Sequence, residues 1–286
     1  MLRRLIDLHC HTTCSDGSDS PRTLVEKAHA LGLAAVAITD HDSFRGHAEA
    51  LSAGAKLGIE VVPGVELSSM HGEKHIHLLA YYAVTENGTL SALMQRAVTE
   101  RLNRNRSMVS RLHDAGYPVD WETVMARFPG QAIIGRPHVA QVLLERGVIH
   151  SIREGVEGLM GKGGAFYVER YHIPLLDYIR AVRAAGGVPV LAHLFQYRLP
   201  PDRLREMIAE ATDAGLLGLE GLYSTYSPEQ EDEAADLARE FHLIRTGGSD
   251  YHGLSKPHIA IGSGTGTLAV PYALLEELKA AKAKLG

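Results

Sequence analysis

Short apolar runs alternate with helical stretches along most of this chain, and a histidine or carboxylate stands at or near the end of most runs. Leu5 to His9 has the pattern of a strand, Ser20-Pro21 opens a helix through Leu31 with Ser20 as N-cap, and Ala34 to Thr39 is again of strand length. Arg45 to Leu57 is helical and Gly58 ends it, Glu60 to Leu67 and His75 to Tyr82 are strands, and a long helix follows from about Thr89 to Ala115. The alternation resumes late in the chain. Helices are expected at Leu175 to Ala185, Arg203 to Ala214, Pro228 to Phe241 and Leu274 to Lys284, with strands at Val188 to His193, Leu217 to Tyr223 and Leu243 to Thr246. Strands of this kind, apolar on both faces and separated by helices, call for a parallel sheet. The expected class is α/β, a seven-stranded (β/α) barrel. His9, Asp40, Glu66, His77, His193 and Asp250 fall at or just after strand C-termini, which in a barrel converge on one mouth. A doubly wound dinucleotide-binding sheet is the weaker alternative, because no glycine-rich fingerprint follows the first strand.

Residues 116–170 break the alternation and have the pattern of a small, mostly helical insertion. From Gln95 to Arg146 there are eight Arg against five acids, a net of +3 in a chain whose total is −5. That total argues against a general nucleic-acid binder. With 45% apolar and 22% charged residues the chain is an ordinary globule. It has no apolar run long enough to span a membrane. Arg3 and Arg4 are soon followed by Asp7, His9 and His11, so no signal peptide is expected, and two cysteines, Cys10 and Cys14, suit the reducing cytoplasm. Sixteen His beside one Trp and five Phe direct attention to metal chemistry.

His9-Cys10-His11 ends the first strand, and period-two geometry lets both imidazoles reach one ion. Asp16 follows in a Gly/Ser-rich turn. Thr39-Asp40-His41-Asp42 ends the second strand, Glu66 the third, His75-Ile76-His77 lies in the fourth, His193 ends the fifth, and Asp250-Tyr251-His252 follows the last. Unpartnered charge is too costly to recur at so many strand ends without divalent cations to offset it. Imidazole with carboxylate and no thiolate pair suits Mn²⁺, Fe²⁺ or Zn²⁺. Nine candidate ligands imply two or three ions, with Glu66 able to bridge two. Other residues have plainer readings. His29, His47, His113, His150 and His242 fall on helices or their ends as surface residues, His71 and His75 are solvated, and Cys10 is a small core residue. Leu90, Leu93, Ala97, Leu102 and Val109 form a core stripe. Arg101, Arg104, Arg106 and Arg111 are either a solvated helix face or, with Arg136, forks for phosphate oxygens, and Lys162 in its glycine-rich loop is a further candidate.

The motif series His9-x-His11, Asp16, Thr39-Asp40-His41-Asp42, Pro63-Gly64-Val65-Glu66, His75-Ile76-His77, Ala192-His193 and Gly248-Ser249-Asp250-x-His252 resembles that of the PHP (polymerase and histidinol phosphatase) family. The stretch Ile134-Gly135-Arg136-Pro137-His138-Val139-Ala140 resembles the branch of 3′,5′-nucleoside bisphosphate phosphatases and 5′→3′ exoribonucleases. The resemblance implies a distorted seven-stranded barrel over residues 1–100 and 171–286, with a helical insertion over residues 101–170 capping its mouth. It also implies two or three divalent ions, manganese first with iron or zinc as alternatives. One ion would be held by His9, His11, Glu66 and Asp250, a second by Glu66, His77 and His193, and a third by Asp16, His41 and His252, while Asp40 orients an imidazole from behind. Leu194 stands where the family usually has proline, which changes the local turn more than the ligand.

The activity so implied is removal of the 3′-phosphate of a nucleoside 3′,5′-bisphosphate by a hydroxide drawn from metal-bound water. Asp250, His193 and His252 are the candidate catalytic residues, either histidine being able to protonate the leaving hydroxyl. Asn103, Arg104, Asn105, Arg136 and His138 are the candidate substrate contacts. A 5′→3′ exoribonuclease acting on short 5′-phosphorylated RNA and a non-catalytic barrel module are the alternatives. The expected partner is a small nucleotide or short RNA, with no membrane.

Overall fold

The computed structural model describes residues 4–83, 88–131, 133–169 and 171–285; Arg3 and the expected insertion boundary at Arg170 lie outside them. The chain divides into two compact units, Met1–Met94 with Ile173–Gly286, and Gln95–His172.

The first unit is an α/β barrel. Its strands are β1 (Leu5–Asp7), β2 (Ala35–Ile38), β3 (Glu60–His71), β4 (Lys74–Tyr81), β5 (Ile173–Pro174), β6 (Val188–Leu191), β7 (Gly218–Tyr223), β8 (Ile244–Gly248) and β9 (Val270–Pro271). The hydrogen-bonded order is β8-β7-β6-β4-β3-β2-β1-β9, with β5 beside β3. Seven of these exceed two residues, and β5 and β9 are short additions. The edges meet: Leu8 N donates to Gly247 O at 3.1 Å and Asp250 N to His9 O at 2.8 Å. Such closure removes the exposed edges of an open sheet.

The sheet departs from the all-parallel expectation at β4 and at the short β9, which pairs antiparallel with β1. β4 runs antiparallel to both β3 and β6, because Gly72 at φ 55° turns β3 directly back into β4 without a crossover helix. Strand alternation along β2 sorts the core. Ala35 and Ala37 join the cluster of Ile6, Leu8, Val188 and Val190, while Val36 and Ile38 pack with Leu24 and Val25 of α1 (Pro21–Ala30) and Ala50 of α2 (His47–Leu57). α1 begins as its residues dictate, with Ser20 Oγ accepting from Thr23 N at 3.1 Å and Pro21 in the first turn; α2 stops at left-handed Gly58.

α3 (Gly88–Asp114) carries the chain into the second unit, which adds α4 (Trp121–Arg127), α5 (Arg136–Glu145) and a π-helical turn at Glu154–Leu159. Its own core gathers Met108, Leu112, Val124, Val139 and Leu143. The remaining helices of the first unit are α6 (Leu175–Ala184), α7 (Pro201–Asp213), α8 (Pro228–Glu240) and α9 (Ala273–Ala283). Among the described residues no helix is long and apolar enough to cross a membrane.

The closing seam admits no side chain at Gly248, where a Cβ would lie 2.4 Å from both the Cβ and the backbone N of His9. Gly248→Ala is therefore expected to cost about 3 kcal/mol, the upper end of overpacking penalties, since a backbone segment must shift. Urea unfolding reads the loss; a midpoint equal to that of the parent would contradict this view of the seam.

Candidate metal centre

Candidate ligands arrive from six strands. His9 and His11 follow β1, His41 follows β2, Glu66 and His77 sit inside the β3–β4 hairpin, His193 follows β6, and Asp250 and His252 follow β8. Glu66 and His77 are thus within strands, where strand ends had been expected. The hairpin runs five residues beyond Glu66, and the register sets Ser68 opposite His77.

Glu66 is the centre. It is 1% exposed, and five imidazoles converge on its two oxygens. Oε2 lies 3.4, 3.1 and 3.2 Å from His9 Nε2, His11 Nε2 and His41 Nδ1, and Oε1 lies 2.8 and 2.9 Å from His77 Nδ1 and His193 Nε2. Asp250 Oδ1 is 3.7 Å from His9 Nε2 and 3.4 Å from His11 Nε2. On the other flank, Asp16 Oδ1 lies 3.3 Å from His252 Nε2. Among the described residues three groups result, each with ligand atoms within 4.8 Å of one another: His9, His11, Glu66, Asp250; His11, Asp16, His41, His252; and His41, Glu66, His77. The first is the expected set, and the second is the expected third set with His11 added. In the remaining group His41 takes the place expected for His193.

These groups fit divalent cations on two counts. His9 Nε2, His11 Nε2, His41 Nδ1 and Asp16 Oδ1 are buried with no hydrogen-bond partner, a costly state for polar atoms. The 3.1–3.7 Å imidazole–carboxylate separations of His9 and His11 from Glu66 and Asp250 also bracket the edge, about 3.4 Å, of a tetrahedron of donors about 2.1 Å from a metal.

The backbone is bent to this purpose. His193 (φ 26°) and Asp250 (φ 57°) both hold left-handed conformations, each costing about 1–3 kcal/mol for a residue with a Cβ. At the Leu194 departure from the family motif, the chain turns into a 3₁₀ segment, Leu194–Tyr197, and Tyr197 Oη donates to Ala192 O at 2.6 Å. Asp40 acts one step further back than expected. It accepts from Thr12 N and Oγ1 and, at 2.6 Å, from Ser15 Oγ, which itself stands 3.3 Å from His11 Nδ1.

Four buried or half-buried residues escaped the sequence reading. Glu220 Oε1 meets His9 Nδ1 at 3.0 Å, and its Oε2 accepts from His193 N at 2.7 Å. Tyr223 Oη donates to Asp250 Oδ2 at 2.8 Å, and Lys256 Nζ reaches the same oxygen at 2.7 Å. Asp7 accepts from His9 N, Ser249 N, Ser249 Oγ and Gly262 N. A carboxylate inside an apolar strand was the available signal for Asp7 and Glu220. Nothing in local pattern marks Tyr223 or Lys256. His47 is also less exposed than expected, its Nε2 lying 2.7 Å from Gly64 O.

Within the second unit, Arg104 and Asn105 are buried, whereas Asn103 is exposed, about 200° around the helix from Asn105. Asn105 Nδ2 donates to Ile134 O. His138 Nδ1 accepts from Gly135 N at 2.9 Å and so caps α5. Burial and the charge of Arg101 pull the Arg136 pKa down. Arg106 lies over the Trp121 ring at 5.3 Å and Arg111 donates to Tyr167 O, so those two serve the unit's own packing.

Residues 7–126 match the family model described as PHP domain. A 5′-3′ exoribonuclease from Haemophilus influenzae is 30% identical over 246 residues, covering 86% of this chain and 89% of that one. The chain belongs to the PHP family. A phosphoribosyl 1,2-cyclic phosphate 1,2-diphosphodiesterase from Eggerthella lenta is 31% identical (86% and 94% covered), and a 3′,5′-nucleoside bisphosphate phosphatase from Chromobacterium violaceum is 30% identical (86% and 87%). The solved structure of a protein described as a metal-dependent phosphoesterase from Bifidobacterium adolescentis superposes with a TM-score of 0.86 at 34% identity, covering 96% of this chain and 95% of that one. Metal-dependent phosphoester chemistry is thus the family's.

Without a cation the charges are already separated. Burial lowers the pKa of His9 and His11, but the facing carboxylates outweigh it: Glu220 and Glu66 hold His9 well above its usual value, and Asp250 and Glu66 bring His11 to about 9. Burial with the neighbouring His11 and His77 takes His41 down to about 3 despite Glu66 and Asp16. Burial raises Glu66 and Asp250, yet imidazoles around Glu66 and Lys256 beside Asp250 bring both well below the carboxylate range. A ligating imidazole must give up its proton, so Mn²⁺ uptake at pH 7 is expected to release protons, and affinity to rise with pH up through about 9, where His11 is half titrated. Calorimetric titration in two buffers of different ionisation heat measures that release; no buffer dependence would contradict the assignment of His9 and His11.

Proposed function

We propose that the protein is a phosphatase that removes the 3′-phosphate from nucleoside 3′,5′-bisphosphates. The observation that carries this reading is the overlap of three donor groups on Glu66, His11 and His41. Cations bound there, manganese first, would neutralise phosphoryl oxygens and acidify a water as nucleophile. The named relatives all act on phosphate esters, and the Chromobacterium violaceum relative carries the proposed substrate in its name.

The chain's own residues divide the work. His9, His11, Asp16, His41, Glu66, His77, Asp250 and His252 supply donors. His252 is fixed for this by its Nδ1, 2.8 Å from the Asp250 carbonyl, which leaves Nε2 facing Asp16. His193 stands outside the three groups, with Nε2 2.9 Å from Glu66 Oε1, and is assigned here to protonate the leaving hydroxyl from Nε2. The second phosphate is taken by Arg104 and Arg136, whose guanidinium forks suit phosphate oxygens. Asn105 and His138 shape that cradle by holding the Ile134 and Gly135 backbone. Asn103, exposed on the far face, is left without a role.

Two variants test the division. His193→Asn is expected to lower kcat on a nucleoside bisphosphate by about 10²–10⁴-fold while leaving an aryl phosphate, whose leaving group needs no proton, much less affected; equal losses would remove His193 as the acid. Arg136→Ala is expected to raise KM for the bisphosphate about 10- to 100-fold, the value of a charge-assisted contact, with little effect on an aryl phosphate. Equal effects on both would sink the cradle.

The reading as a whole is tested by giving Mn²⁺-loaded protein adenosine 3′,5′-bisphosphate beside a 5′-phosphorylated RNA trinucleotide. Fast phosphate release with a sluggish trinucleotide is the expected result. Efficient release of mononucleotides from the trinucleotide would transfer the assignment to the exoribonuclease class.

A further inference from the structure

Each long strand of the barrel carries or leads into a candidate ligand, except β7. Yet β7 is where the ligands are tied. Period-two alternation would turn Glu220 and Tyr223 to opposite faces. The β7–β8 register shifts between Glu220 and Leu222, so that Glu220 pairs with Thr246 and Leu222 with Gly247. The extra residue, Gly221, re-phases the strand, a known use of bulges beside functional sites. Both side chains then reach the cluster. Glu220 spends one oxygen on the His9 ring and the other on the His193 backbone, and Tyr223 holds the Asp250 oxygen that faces away from His9 and His11.

We propose that β7 is the organising strand of the metal centre: bulged at Gly221, it aims Glu220 and Tyr223 as positioning residues that set the orientation of His9, His193 and Asp250. The Glu220 carboxylate keeps the His9 proton on Nδ1, so that Nε2 presents its lone pair to the first donor group. It also fixes the left-handed His193 backbone through its N–H. Tyr223 leaves Asp250 a single oxygen for the cluster. Glutamine at position 220 cannot do both jobs, because its one oxygen can accept from only one of the two donors and its amide N–H would face the other. If the oxygen serves His193, the amide selects the His9 tautomer that carries its proton on Nε2.

This inference rests on the metal reading of the cluster, and the test separates the two. Mn²⁺ binding would be measured by calorimetry on the full chain and on Glu220→Gln and Tyr223→Phe, with far-UV circular dichroism to confirm folding. Imidazole ¹⁵N shifts of the metal-free proteins, recorded at a pH high enough for His9 to be neutral, would report its tautomer. Glu220→Gln is expected to weaken Mn²⁺ binding by about 10- to 100-fold and to move the His9 proton off Nδ1, and Tyr223→Phe to weaken binding by about tenfold. Folded variants that bind as the parent does, with His9 unchanged, would overturn the role of β7 alone. A parent that takes up no Mn²⁺ would overturn the metal reading with it. Should Glu220→Gln fail to fold, Tyr223→Phe, which removes one hydroxyl, decides the question.

Discussion

A carboxylate buried to 1% exposure among five imidazoles is the constraint to which the rest of the first unit answers. Removing such a group from water costs several kcal/mol unless charge and hydrogen bonds replace the solvent. Glu66 meets that demand only because ligands from β1, β2, β4 and β6 reach the same point, which needs a sheet curled until its strand ends and its hairpin face one another. The closing bonds between the β1 and β8 segments, the left-handed backbone at His193 and Asp250, and the four donors that Asp7 gathers from His9, Ser249 and Gly262 all serve that convergence. Fold and site are consequently one structure. The glycine that lets β8 lie against His9 is as much part of the centre as the histidine it touches.

Much of this was legible in residue order. Strand and helix positions followed from apolar period, caps and glycine stops: Ser20 with Pro21, and Gly58, end up doing what their chemistry prescribes. The nine polar residues singled out for metal binding lie together, because carboxylates and histidines at the ends of apolar runs have few inexpensive alternatives to a shared site. The antiparallel β4 was not legible, since a two-residue turn at Gly72 and a crossover leave the same alternation in the flanking strands. Nor was the position of His193, which depends on a left-handed residue that local pattern does not announce. The residues behind the ligands escaped for a different reason. Glu220 and Tyr223 share a face only through a bulge, and period-two reasoning assigns them to opposite faces.

The two units differ in how their charges are held. In the first, histidines and carboxylates neutralise one another in the absence of metal, so its preorganisation is electrostatic as well as steric. In the second, burial and the charge of Arg101 lower the Arg136 pKa. Relatives of similar identity named as exoribonuclease, cyclic phosphate diphosphodiesterase and bisphosphate phosphatase show how one phosphoesterase fold serves several esters.

The central claim is that the unpartnered imidazole and carboxylate atoms around Glu66 exist to hold divalent cations. Anomalous diffraction at the manganese edge, from crystals grown with Mn²⁺, tests it directly. Two or three peaks are predicted, one within coordination distance of His9, His11, Glu66 and Asp250 and another among Asp16, His41 and His252. A well-ordered Glu66 with no anomalous density beside it, at Mn²⁺ concentrations that fill other metalloenzymes, would contradict the account.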